Sequence, residues 1–268
     1  MFLTRLISGA VLVAAAVFLF IFGDVWLLAA MGILSLAGCY EMLRVFSLHK
    51  HPFGITCYIA TLAYYILIYF GNGFWTIPFV LMPLLLVLLS IYVIRYPEDK
   101  IDCVTRALFT FLYVSVLLSF VYQTRELSRG QWLVWLIVIG SWGSDTCAYC
   151  VGKLFGKHHF SELSPKKTIE GCVGGVLGAG LIAFIYSFFF PIHEMGSVRV
   201  PIAFVFPIVA IICAGISQVG DLAASAIKRN YNVKDYGKVI PGHGGILDRF
   251  DSVIFVAPFV YYLLVLFI

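Results

Sequence analysis

Charge is what this sequence has least of. Only 12% of its 268 residues are Asp, Glu, Lys or Arg, about half the ~25% of an ordinary soluble domain. That shortage excludes a water-soluble globule, and 62% hydrophobic residues with a mean hydropathy of +0.99 point to an integral membrane protein. The apolar runs do not alternate with polar residues, which excludes a β-barrel. Internal repeats, low-complexity tracts and a soluble insertion are also missing, so function has to lie in loops and at helix ends. The seven cysteines include one C-x-x-C, Cys147 and Cys150. With no second pair and no histidine at ligand spacing, it reads as packing rather than redox or zinc chemistry.

What is present is a series of apolar runs, each near the ~20 residues needed to cross ~30 Å of hydrocarbon. They predict nine spans, at 6–23, 25–47, 54–70, 74–94, 107–123, 131–151, 172–190, 201–227 and 250–268. The expected fold class is therefore an all-α, polytopic helical bundle with about nine transmembrane helices. The first run lacks a small-residue cleavage site and is expected to be retained. Of the eighteen Lys and Arg, only Arg125, Arg129 and Arg199 fall in one set of alternate loops. The other fifteen mark the cytoplasmic side, which predicts a cytoplasmic N-terminus. This bias also accounts for the net charge of +4 without a nucleic-acid partner.

Residues 1–130 read as N-terminal transmembrane helices for anchoring, packing or dimerisation, and 131–268 as a catalytic region with its site facing the cytoplasm. The division follows the acids: eight of fourteen come after residue 140, and Asp145 and Asp221 lie in or at the edge of apolar helices. A carboxylate at the bilayer centre costs about 2.5–3.5 kcal/mol on insertion scales, so it needs a partner or a purpose.

Three stretches concentrate the polar residues. In "GSWGSDTCAYCVGKLFG" (140–156), helical spacing puts Ser141, Asp145 and Tyr149 on one face, either as a polar inter-helix contact or as part of a site. In "FSELSPKKTIEG" (160–171), Ser164 and Pro165 read as a helix N-cap and first position. Lys166 and Lys167 would then sit in the first turn, as membrane anchors or as a phosphate-binding pair. The third stretch, 217–252, lines up Ser217, Asp221, Ser225 and Lys228 at helical spacing and ends with Asp248, Asp251 and Ser252 at i, i+3 and i+4. Carboxylates beside Lys and Arg are what a Mg²⁺–nucleotide site requires. Gly244 and Gly245 would let backbone N–H groups reach phosphate oxygens, and His243 is either a phosphate donor or structural.

The segment "SAIKRNYNVKDYGKVIPGHGGILDRFD", Ser225 to Asp251, resembles the signature of the phosphatidate cytidylyltransferase (CDP-diacylglycerol synthase) family: S-x-x-K-R, K-D, P-G-H-G-G, D-R-x-D. "SDTCAYCVGKLFG" and "LSPKKTIEG" are similar to family segments as well. The resemblance implies Mg²⁺-dependent transfer of the cytidylyl group of CTP to phosphatidic acid, at an inner cell membrane among its lipids. On that reading Asp221 and Asp248 hold the metal, with Asp251 or Asp145 as a further ligand or second-cation site. Lys166, Lys167, Lys228, Arg229 and Lys234 bind phosphates, Ser225, His243, Gly244 and Gly245 complete the substrate site, and Arg249 contacts phosphate or a carboxylate. Catalysis is expected of Asp221, Asp248 and Lys167, and a homodimer is implied by the resemblance alone. Two rivals differ in class. A CTP-dependent lipid kinase would release CDP, and a transporter would show inverted repeats, which nine spans with polarity at one end do not.

Overall fold

The architecture is seen in a computed structural model, which describes residues 2–71, 76–161, 163–191, 194–195, 200–239 and 244–267. Among these are nine long helices: α1 (Phe2–Phe22), α2 (Asp24–Val45), α3 (Pro52–Phe70), α4 (Thr76–Ile94), α5 (Ile101–Glu126), α6 (Gly130–Phe155), α7 (Ile169–Ser187), α8 (Ile202–Asn230) and α9 (Leu247–Val265). Each matches one expected run. The chain is a polytopic helical membrane protein. Seven of the nine, α2 to α8, are long and apolar enough to cross a membrane. In α9 the first two turns hold Asp248, Arg249 and Asp251, and in α1 the uniformly apolar part is Val13–Phe22.

Two short antiparallel hairpins connect helices: β1 (His159–Ser161) with β2 (Ser164–Thr168), and β3 (Glu194–Met195) with β4 (Val200–Pro201). The first corrects an expectation. Ser164 to Lys167 lie in a strand, and the helix begins four residues later than predicted, with Thr168 as its cap. Pro165 disfavours helical geometry at the residue before it. Thr168, at φ −117° and ψ 152°, accepts from Gly171 N with its hydroxyl, the usual N-cap bond.

Contacts divide the chain into two compact units, Met1–Tyr122 with Tyr231–Arg249, and Gln123–Asn230 with Phe250–Ile268. In the first, α2, α3 and α5 close around Met42, Tyr64 and Phe111, all fully buried. Lipid is as apolar as leucine, so burial contributes little to holding such helices together. Hydroxyl pairs do part of that work: Ser35 with Tyr65 at 2.7 Å, Thr61 with Ser115 at 2.7 Å, and Tyr64 with Ser119 at 3.0 Å.

In the second unit, small residues let α7 press against α6. A Cβ at Gly174 would stand 2.5 Å from Val151 Cβ, and one at Gly178 would stand 2.6 Å from Cys147 Sγ. Tyr186 on α7 donates to Trp132 O at 2.9 Å, and Gly140 on α6 leaves room for Cys213 on α8. A π-helical turn at Ile139–Gly143 interrupts α6 two residues before Asp145. Such turns reset the register of a helix and recur at functional positions. Here Ser141 is fully buried and donates to Ile137 O at 2.6 Å, while Asp145, four residues on, reaches a cavity.

Candidate active site

The cavity lies within the second unit, has a volume of about 370 Å³, and is lined by Asp145, Tyr149 and Lys153 of α6, Lys167 and Thr168 of the hairpin, and Gln218 and Asp221 of α8. Small-molecule sites span about 300–1,000 Å³. In its lining Lys167 Nζ pairs with Asp221 Oδ2 at 2.5 Å, and both side chains are about a quarter exposed. The hairpin is what carries Lys167 there. Its base is held by Glu170, whose Oε2 accepts from Lys157 N at 3.1 Å and His158 N at 3.2 Å, while Oε1 meets His158 Nδ1 at 2.5 Å.

Asp145 and Asp251 converge on one hydroxyl. Ser252 Oγ lies 3.3 Å from Asp145 Oδ2 and 3.4 Å from Asp251 Oδ1, and Ser252 N donates to the same Asp251 oxygen at 2.8 Å. Asp251 is also within electrostatic reach of Asp221 and Lys228. Three carboxylates from α6, α8 and α9 thus surround one region, with Lys167 paired to Asp221 and Lys228 near Asp251. Among the described residues no three His, Cys, Asp or Glu side chains close into a ready-made metal cage. Mg²⁺ does not require one, since it commonly takes one or two carboxylates and completes its shell with substrate phosphates and water. The donor set fits that mode of binding.

The remaining expected residues are placed as follows. Ser225 is half-buried on α8 and Arg229 is exposed near its end. Lys166 follows Pro165 in β2, and its side chain is outside the described set, as is the whole of His243. Lys234, Gly244, Gly245, Asp248 and Arg249 belong to the first unit. There Asp248 Oδ2 accepts from Tyr236 N at 2.8 Å and from Gly245 N at 3.0 Å. The Gly245 N–H, expected to face phosphate, is therefore given to a carboxylate of its own turn. Gly244 is glycine for its backbone, with φ at +89°.

One residue of this turn's surroundings escaped the sequence reading. Glu41, near the end of α2, is 1% exposed and accepts from Ile246 N and Leu247 N, both at 3.0 Å. An acid inside an otherwise apolar run was the available signal, but nothing in the sequence says which segment, two hundred residues on, it meets.

The model of the Cytidylyltransferase family matches residues 3–267. The chain belongs to that family. This family member is 33% identical over 262 residues to the phosphatidate cytidylyltransferase of Thermotoga maritima, covering 96% of this chain and 94% of the relative. It is 37% identical over 172 residues to that of Bacillus subtilis, covering 63% and 60%, and 39% identical over 159 residues to that of Staphylococcus aureus strain COL, covering 59% and 58%. The chain thus aligns with about three-fifths of the length of the Bacillus and Staphylococcus relatives and nearly all of the Thermotoga one.

Proposed function

We propose that this protein transfers the cytidylyl group of CTP to phosphatidic acid, giving CDP-diacylglycerol and pyrophosphate. The observation that carries the reading is the cavity in which Lys167 and Asp221 pair beside Asp145 and Asp251. A lysine paired with an acid, at the edge of a space of nucleotide scale, suits a polyanion whose charge a resident cation must offset. The relatives named above bear the name of this reaction.

A phosphate oxygen of the lipid attacks the α-phosphorus of CTP, the bond from that phosphorus to the β-phosphate bridging oxygen breaks, and pyrophosphate leaves with the electron pair. The lipid phosphate is already an oxyanion near neutral pH, so no strong base is needed. The obstacle is bringing two polyanions into line, and positioning with charge screening is how a protein lowers it. Lys167 supplies positive charge at the cavity and Lys228 lies within electrostatic reach of Asp251, and the resemblance adds Lys166 and Arg229 to the phosphate-binding set. Asp221, Asp251 and Asp145 would hold Mg²⁺. That ion, when bound, offsets phosphate charge and orients the groups that react. The resemblance extends the set to Asp248, one turn before Asp251 on α9, and to Ser225, Lys234, His243, Gly244, Gly245 and Arg249. It also supports a cell-membrane location with the site on the cytoplasmic side, and a homodimer.

The test is to incubate purified protein in mixed micelles with CTP labelled on the cytosine, phosphatidic acid and Mg²⁺, with EDTA in a parallel sample. Label is expected in the organic phase, and none with EDTA. Label confined to water, from protein shown to be folded, would overturn the assignment, and released CDP would redirect it to a lipid kinase.

A further inference from the structure

A carboxylate buried among apolar helices is costly unless its oxygens are hydrogen-bonded. Glu41 finds its partners in one short segment. Oε1 accepts from Ile246 N and Oε2 from Leu247 N, the cap position and first residue of α9. N–H groups at a helix start have no partner within the helix, so Glu41 supplies from α2 the cap that a local side chain ordinarily provides, and its charge suits the positive end of the helix dipole. The turn is shaped around it. A Cβ at Gly245 would come within 2.5 Å of Oε2, and one at Gly237 would collide with Oε1. The glycines at 237 and 245 are thus explained by close approach to Glu41. One helical turn from Glu41, Arg44 Nη2 donates to Tyr236 O at 2.5 Å.

We infer that Glu41 is a positioning residue for the segments 236–237 and 244–249, the second of which carries Asp248 and Arg249. Four backbone N–H groups, at 236, 245, 246 and 247, answer to two carboxylates, Asp248 from within the turn and Glu41 from outside it. Gly245 donates to Asp248 while the next two residues donate to Glu41, so moving the peptides at 246 and 247 moves the group that orients Asp248. The helices of the N-terminal half thereby reach into the signature without contributing a residue to it. The kinetic consequence rests on the reaction proposed above, whereas the structural one does not.

The experiment uses the full chain in detergent. Glu41→Gln keeps the size but sets an NH₂ group against one of the two N–H donors. A misplacement of about 1 Å at a reacting group can cost about 100-fold, and loss of a supporting partner costs about 10- to 100-fold. The expected result is a fall in kcat of that order per folded enzyme. It is accompanied by faster hydrogen–deuterium exchange at the amides of 236 and 245–247, with α2, α3 and α5 unchanged. An unchanged kcat with unchanged exchange, or faster exchange spread equally over α2, α3 and α5, would overturn the inference. Should Glu41→Gln fail to accumulate, Arg44→Gln replaces it, because Arg44 is exposed and its loss opens no core. The same local exchange signature is expected there, and its absence is refuting. If the protein transfers no cytidylyl group at all, the exchange result alone decides.

Discussion

Replacing Lys167 with methionine separates what its ion pair does for the fold from what it does for the reaction. The substitution leaves Asp221 without its 2.5 Å partner in a region shared with Asp251 and Asp145. An exposed pair contributes about 0–1 kcal/mol, and removing one partner of a fully buried pair costs about 3–5 kcal/mol. With side chains 24% and 28% exposed, this pair lies between, and a loss of about 1–3 kcal/mol is expected. At about 2–4 °C per kcal/mol for a protein of this size, Tm should fall by roughly 2–12 °C. Asp221→Asn placed on top of Lys167→Met removes the stranded charge and should recover most of that loss. Activity behaves differently: Lys167→Met, Asp221→Asn and the double variant should all be inactive in the labelled-CTP assay, because each lacks a group the polyanions require. Intrinsic-fluorescence melts in one detergent give the first quantity. A double variant that melts no higher than Lys167→Met, or one that regains turnover, would refute the reasoning.

Two further predictions concern the scaffold. Gly178→Val forces a side chain into Cys147 on α6, and overpacking of this kind costs about 1–3 kcal/mol, so the melt should drop while Gly9→Ala, in open space, leaves it unchanged. Thr168→Val removes the oxygen that accepts from Gly171 N and should cost about 1 kcal/mol, read as a Tm lowered by about 2–4 °C.

Much of the fold was legible because its signal is one-dimensional. A helix in lipid satisfies its own backbone hydrogen bonds, so an apolar run of sufficient length is enough to place it, and all nine runs became helices. The start of α7 was misplaced because Ser164-Pro165 and Thr168 both carry capping chemistry. The hairpin that pairs His159 with Thr168 chose between them. Ser141 looked equivalent to Asp145 because i, i+4 spacing presumes a regular helix, and the π-helical turn that contains Ser141 broke that assumption.

By itself the sequence determined that the chain is a polytopic helical membrane protein, that its acids gather in the second half, and that Ser225 to Asp251 carries a family signature. These follow from composition and local spacing. Tertiary structure alone decided that Lys167 pairs with Asp221, that Asp145 and Asp251 share Ser252, and that Glu41 takes the N–H groups of Ile246 and Leu247. The last of these joins residues 205 and 206 positions apart. A buried carboxylate announces that it needs donors, but which backbone it meets depends on how helices pack, and no local pattern in the sequence encodes that.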